Sequence, residues 1–439
     1  MASSLTLKEF LAQKNVQVGD TVAIEWKGNH LKALILPQTL QRTDFLDVKL
    51  SMGYNTGLAL NQITSIQKVP REQAAAPPAA ATPIPPTTNK PPISLVASGG
   101  TIGSKIDYTN AGVTALMTPA ELLQLVPELG EFAHITSIQS PFTKLSENMI
   151  PNDWIRLAHV CAQELNKKEI RGVLLTHGTD TLAYTAAALS FFLKNISKPL
   201  ILVGAQRSSD RGSSDANFNL ICAARLALSD IAEVGICMHG SPSDEYCLFN
   251  KGTRVKKMHT SRRDAFRPIN AKPLAKVFPS GKIETLSPYH PRHELGKVEV
   301  DAAFEENIAL IKYAPGMTTK VLEEYAKHGC KGFIIEGTGL GHVPESWVEG
   351  VRAITAKGIP IFMATQPQYG RVNMSVYSTG RMLTEAGVVG LGDMSSEVAY
   401  VKLGWVLAHT QKLDEVRTRM LTPIAGEMSI RSEVDTFLY

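Results

Sequence analysis

The apolar pattern of this chain changes character twice. Val22, Ile24 and Trp26 alternate with polar neighbours, as one face of a half-buried strand does. Further short apolar runs at 34–36, at Val48 with Leu50 and at Leu58 with Leu60 are separated by turn formers around Gly19, Gly28 and Gly57. Residues 1–70 therefore predict a small all-β, barrel-like unit. The pattern then stops. Residues 71–92 hold seven prolines and no aromatic, so they cannot bury a core and favour extended conformations. They read as a semi-rigid Pro/Ala-rich linker.

From Ile93 onward, short continuous apolar runs alternate with helix-like ones. Residues 93–97, 172–176, 200–203 and 234–238 read as buried strands, and helices are predicted from Thr118 (with Pro119 in its first position), over 182–193 and through 218–228. The regular pattern lapses over 272–300, which places a boundary near 285. It then resumes, with strands at 308–313, 333–335 and 361–364 and helices at 320–328, 346–357 and 396–410. The predicted class is α/β: a larger domain, 93–285, and a smaller one, 286–439, each built on a parallel sheet covered on both faces.

Composition narrows the function. With 439 residues, two or three domains of roughly 100–200 residues each are expected. The formal net charge of +4 is too small for a nucleic-acid footprint, and residues 1–70, with seven basic and five acidic groups, are no more basic. Protein docking or a structural role suits that unit better, with RNA contact as the alternative. Five scattered cysteines without CxxC spacing argue against a disulfide framework or a zinc cluster. The N-terminus lacks the pattern of a signal peptide and no apolar run reaches spanning length, so a cytoplasmic protein without a membrane partner is expected.

The candidate chemistry lies where strands end. His177, Gly178, Thr179, Asp180 and Thr181 follow the apolar run 172–176 and precede a helix, so they would sit at the carboxyl edge of the sheet, where open α/β proteins bind ligands. Ser98, Gly99, Gly100 and Thr101 follow the run 93–97 in the same way. Neither GxGxxG spacing nor GK[ST] is present, which disfavours a dinucleotide or phosphate loop. A threonine hydroxyl needs a base before it can attack. Asp180 and Lys257 are candidates to assist, the latter inside a run, 251–267, with seven cations and one carboxylate. Crowded like charges disfavour an ammonium, which would free such a lysine to relay protons.

The two threonine motifs, in this order and on these strands, resemble those of the bacterial-type L-asparaginase/glutaminase family over roughly residues 93–439. The resemblance implies that family's two-domain α/β fold, needing no metal, with Thr101 as nucleophile and Thr179, Asp180 and Lys257 as its catalytic partners. Ser146, between Leu145 and Met149, resembles the serine that binds the substrate α-carboxylate. Glu147 stands where glutamine is frequent, and Gly100 and Gly178 would line the substrate with their loop N–H groups. The family's flap tyrosine has no clear counterpart: Tyr108 is the flap's tyrosine, but a gap-free count places Val113 or Thr114 there.

Two features exceed a plain asparaginase: the β unit with its linker, and the stretches 369–381 and 393–403. With the total length, these resemble the branch of the family that works within archaeal glutamyl-tRNA(Gln) amidotransferases. That implies hydrolysis of glutamine and delivery of ammonia to an E-type kinase and transamidase subunit, which activates Glu-tRNA(Gln) with ATP and Mg. It also implies a heterotetramer built through a homodimer of this chain, with no cofactor in the chain itself. The alternatives are a free-standing cytoplasmic L-asparaginase and a non-catalytic binding module on the same fold.

Overall fold

The computed structural model describes residues 6–36, 44–50, 55–69, 89–99, 104–107, 112–115, 126–207, 214–294 and 296–439, with the backbone alone at 49, 55, 104–107 and 112–115. The helix expected from Thr118 lies outside the described residues.

The N-terminal unit opens with a helix that the all-β reading missed, α1 (Leu7–Gln13), started by a capping box in which Thr6 and Glu9 hydrogen-bond reciprocally. At seven residues it is too short for its period to stand out, yet it buries Leu7 and Phe10 on the sheet. Five antiparallel strands follow: β1 (Thr21–Trp26), β2 (Asn29–Ile35), β3 (Phe45–Leu50), β4 (Asn55–Ala59) and β5 (Ile63–Lys68), in the order β4-β3-β2-β1-β5. The alternating residues Val22, Ile24, Ile35, Val48, Leu58 and Ile66 form the core.

The larger α/β domain holds an eight-stranded sheet. After β6 (Pro92–Ala97) and the small hairpin β7 (Ser104–Asp107) and β8 (Gly112–Ala115) come β9 (His134–Gln139), helix α2 (Pro151–Leu165) and β10 (Val173–Thr176). Helix α3 (Leu182–Phe192), β12 (Leu200–Val203), α4 (Ala216–Ala227) and β13 (Val234–His239) complete the parallel part, and the two-residue β11 (Leu193–Lys194) after α3 lies outside this sheet. Both faces are covered: Val173, Leu175, Leu202 and Ile236 belong to one apolar cluster, while Leu174, Ile201, Val203 and Cys237 belong to another. That double burial is why these strands read as unbroken apolar runs.

Where a wholly parallel sheet was expected, the far edge is antiparallel. The connection from β13 to β14 (Cys247–Lys251) is seven residues by numbering, 240–246, and a parallel return needs about a dozen. A separate hairpin, β15 (Val255–Lys257) with β16 (Phe266–Pro268), projects next. Strands β17 (Ala275–Val277) and β18 (Ile283–Thr285) then extend the sheet through the stretch whose pattern had lapsed.

A two-residue strand, β19 (Glu299–Val300), pairs with β11 before the smaller domain begins. Its parallel sheet is β20 (Ile308–Lys312), β21 (Gly332–Gly337), β22 (Ile361–Thr365) and β23 (Val388–Gly390), with helices α5 (Lys320–Lys327), α6 (Val348–Thr355), α7 (Ser378–Glu385), α8 (Ser396–His409) and α9 (Leu413–Leu421). The two domains share a core. Helix α3 packs on α8, Phe191 stacks on Trp405 at 6.2 Å, and one apolar cluster runs through both. All five cysteines are buried and unpaired. Among the described residues no helix is long and apolar enough to cross a membrane.

Candidate active site

The loop 177–181 leaves the carboxyl end of β10 beside the end of β6. Ser98 joins the two, its backbone N–H and its hydroxyl both donating to the Thr176 carbonyl at 3.1 and 2.9 Å. Gly99 follows with φ +102°, bridged to Lys144, and a Cβ there would lie 2.5 Å from the Lys144 carbonyl oxygen. Only glycine fits that turn. Gly100, Thr101 and Tyr108 lie outside the described residues; Val113 and Thr114 fall in β8, described by its backbone alone.

His177 is internal. Its Nδ1 lies 2.7 Å from the Gly178 carbonyl, which can only accept, so Nδ1 carries the hydrogen and Nε2 accepts from the Thr185 hydroxyl at 2.9 Å. Burial holds the imidazole neutral, its pKa lowered to about 4. It therefore shapes the turn from beneath.

Gly178 lets the loop press on Ser146: a Cβ would meet the Ser146 Oγ at 2.6 Å. Ser146 is buried and its hydroxyl accepts from the Asp180 N–H at 3.2 Å, while the Thr181 hydroxyl donates to the Ser146 carbonyl at 2.7 Å. Glu147 is exposed in the same short turn, Ser146–Asn148.

Lys257 completes the cluster. Its Nζ donates to the Thr179 Oγ1 at 2.9 Å and to the Asp180 Oδ1 at 2.7 Å. The Thr179 residue is 5 % exposed, whereas the Asp180 side chain is 63 % exposed and opens to solvent. A proton can thus pass between a sheltered hydroxyl, an ammonium and a carboxylate in contact with water.

The charge crowding expected along 251–267 is dispersed in space. Lys251 faces Glu233, Arg254 pairs with Asp393, Lys256 with Glu397 and Lys257 with Asp180. Arg262 and Arg267 share Asp264, and Arg263 meets Asp244. The Arg262 hydrogen bond holds the buried Asp264 carboxyl below its usual range. Each of the seven cations has a carboxylate, so the crowding of like charges along the sequence does not persist in space.

Supporting residues went unnoticed in the sequence. A Cβ on Gly204 would come 2.9 Å from the Thr179 Cγ2 and 2.8 Å from the His177 carbonyl oxygen. The buried Asp215 accepts from the N–H groups of Gln206 and Arg207 and from Asn219, fixing where the next edge loop leaves β12. A glycine and an N-cap aspartate are too common to signal this alone. Among the described residues no group of three or more His, Cys, Asp or Glu side chains could hold a metal ion.

This fold and edge site define the asparaginase/glutaminase class. The Asparaginase, N-terminal family matches residues 92–289 and the Glutaminase/Asparaginase C-terminal domain matches 307–420. The L-asparaginase from Thermococcus kodakarensis superposes with a TM-score of 0.70 at 31% identity, covering 77% of this chain and 99% of that one. L-asparaginase I from Vibrio cholerae gives 0.67 at 29%, covering 78% and 100%. The GatD N-terminal domain matches residues 16–69, within the N-terminal unit. Over 435 residues the chain is 47% identical to the D-type subunit (GatD) of glutamyl-tRNA(Gln) amidotransferase from Thermococcus kodakarensis, covering 98% of both. It is 46% identical to the same subunit of Pyrococcus horikoshii, covering 99% and 100%, and 42% identical to that of Sulfolobus acidocaldarius, covering 98% and 96%. The chain belongs to the GatD family of glutamyl-tRNA(Gln) amidotransferase subunits, bearing out the two-domain α/β class and the resemblance read from the sequence.

Proposed function

We propose that this chain hydrolyses glutamine and supplies the ammonia with which a tRNA-dependent amidotransferase converts Glu-tRNA(Gln) to Gln-tRNA(Gln). The observation that carries the reading is the Thr179–Asp180–Lys257 cluster, set on the edge where Ser98 and Gly99 arrive. Thr101 follows Gly99 by two residues, and two residues of chain span at most about 7 Å. In this reading Thr101 attacks the side-chain amide, Thr179, Asp180 and Lys257 relay the proton to the departing ammonia, and water releases glutamate from the acyl-enzyme. Ser146 and Glu147 hold the amino-acid end of the substrate, and Gly100 and Gly178 line it.

Residues 1–70 form the docking unit, 71–92 link it, 93–285 carry the site and 286–439 complete the subunit. An E-type kinase and transamidase partner uses ATP and Mg to activate Glu-tRNA(Gln), in a cytoplasmic heterotetramer built on a homodimer of this chain. The N-terminal unit supports this reading over a free-standing L-asparaginase, because the two asparaginases above cover only 77% and 78% of the chain. The test is ammonia release from glutamine by chain plus partner subunit, with and without Glu-tRNA(Gln). Strong stimulation by the charged tRNA, abolished by Thr101→Ala, is expected. Full activity of the isolated chain on asparagine, indifferent to partner and tRNA, overturns the reading.

A further inference from the structure

The hairpin that carries Lys257 has little of its own to hold it. β15 and β16 pair over three residues each, and an isolated two-stranded hairpin is at best marginally stable in water. Its position is set from outside. Val255 and Phe266 are buried in the apolar cluster that both domains share. Arg263 meets Asp244 and Arg267 donates to the Gly240 carbonyl in the larger domain, and the polar ties at the base of the hairpin come from the smaller domain.

Alternate residues of β15, and Arg254 just before it, reach opposite ways as a pleated strand requires. Lys257 reaches the threonine loop. Arg254 and Lys256 reach the start of the 393–403 stretch, one of the two C-terminal segments that set this chain apart in sequence and that the site leaves unused. The Arg254 side chain is 5 % exposed and its Nη1 donates to the Asp393 Oδ2 at 3.0 Å. Its Nε donates to the Gly426 carbonyl at 2.8 Å and its Nη2 to the Ser429 hydroxyl at 2.7 Å. Asp393 is itself fixed, accepting from the Ser429 N–H at 2.9 Å. Lys256 pairs with Glu397. Just beyond β16, the Asn270 side chain donates to the carbonyls of Asp393 and Gly370, each at 3.0 Å. Both ends of the hairpin are therefore tied to the residue 393 turn.

We propose that Arg254 is a positioning residue for the hydrolytic reaction: bolted to Asp393, it keeps the Lys257 ammonium within reach of Thr179 and Asp180. The proposal rests on the reading of Lys257 as part of the site. A guanidinium suits the task because its planar fork spreads donors over three acceptor groups in fixed directions, which a lysine ammonium cannot do. A displacement of about 1 Å at a catalytic group can cost on the order of a hundredfold in rate.

The test is a double-mutant cycle on the full chain with its partner subunit and Glu-tRNA(Gln), reading kcat and KM for glutamine in Arg254→Lys, Lys257→Met and the double variant. Arg254→Lys is expected to lower kcat about tenfold or more, with KM within about threefold. In the Lys257→Met background the same change is expected to cost nothing further, because Arg254 acts through Lys257. A merely structural loss would be added in both backgrounds. If Arg254→Lys fails to fold, Glu397→Gln, which loosens the neighbouring tie, takes its place in the cycle with the same non-additivity expected. A wild-type kcat in the substituted chain, or an equal loss in both backgrounds, overturns the proposal. Full activity of Lys257→Met overturns it together with the site reading, whereas an inactive Lys257→Met beside a wild-type Arg254→Lys overturns the positioning role alone.

Discussion

The Lys257 ammonium donates to the Thr179 hydroxyl at 2.9 Å across 78 positions of sequence. The same nitrogen lies 2.7 Å from Asp180, so one cation orders two consecutive side chains of the loop. Lys257→Met should leave the fold intact, since the side chain lies outside the apolar clusters, and lower kcat for glutamine hydrolysis about 10²–10³-fold. Steady-state ammonia release beside a thermal melt checks both halves of this expectation.

Gly178 and Ser146 define a close approach that tolerates no methyl group. In Gly178→Ala the new Cβ would sit 2.6 Å from the Ser146 Oγ and 2.7 Å from its Cβ. Such overpacking costs about 1–3 kcal/mol. Adding Ser146→Gly should return most of that stability in urea denaturation without restoring activity, because the hydroxyl that accepts from the Asp180 N–H is then gone.

His177 makes stability fall on acidification. Its pKa is about 4 in the folded chain against an ordinary 6.5, so the unfolded chain binds a proton that the native state refuses. Stability is thus lost as pH drops through the window from 6.5 to about 4, by about 3 kcal/mol in full. Burial lowers His239 as well, and it acts in the same direction. Comparing urea unfolding of wild type and His177→Gln at pH 7 and pH 4.5 should show a shallower loss in the variant; identical losses would refute the assignment.

Lys402 and Glu427 form an ion pair with both side chains 0 % exposed. Lys402 also donates to the carbonyls of Met420 and Thr422, clamping the end of α9 and the residue after it onto α8. Lys402→Met strands a buried carboxylate and should cost about 3–5 kcal/mol. Lys402→Met with Glu427→Gln removes the stranded charge, while an amide oxygen at the Oε2 position can still accept from the N–H groups of both Ile424 and Ala425. The double variant should therefore melt above the single one; equal melting points would show that the pair carries no charge penalty.

Much of the architecture was readable because it is written in contiguous residues. The run 173–176 is apolar at every position but its last since β10 is buried on both faces, and the polar residues that follow have no choice but to form the edge loop. The helices α3 and α8 were visible for the same local reason. α1 was not, because seven residues are too few to show a helical period. The antiparallel edge was missed because apolarity does not record strand direction. That was decided by a seven-residue connection, 240–246, which is too short to cross over.

Residue types and their order along the chain determined the α/β class, the strand-end loops and the nomination of Thr179, Asp180 and Lys257. Only the tertiary structure decided which groups meet. The seven cations of 251–267 look mutually repulsive in sequence, yet each finds a carboxylate, Asp393 for Arg254 and Glu397 for Lys256 among them. The space that Gly178 leaves for Ser146, and the hydrogen bonds from Ser98 to Thr176, likewise join residues far apart in the chain. Contacts of this kind depend on where separate segments cross. A local pattern carries no record of that, because the energy that selects the crossing comes from burying whole faces of strands and helices together.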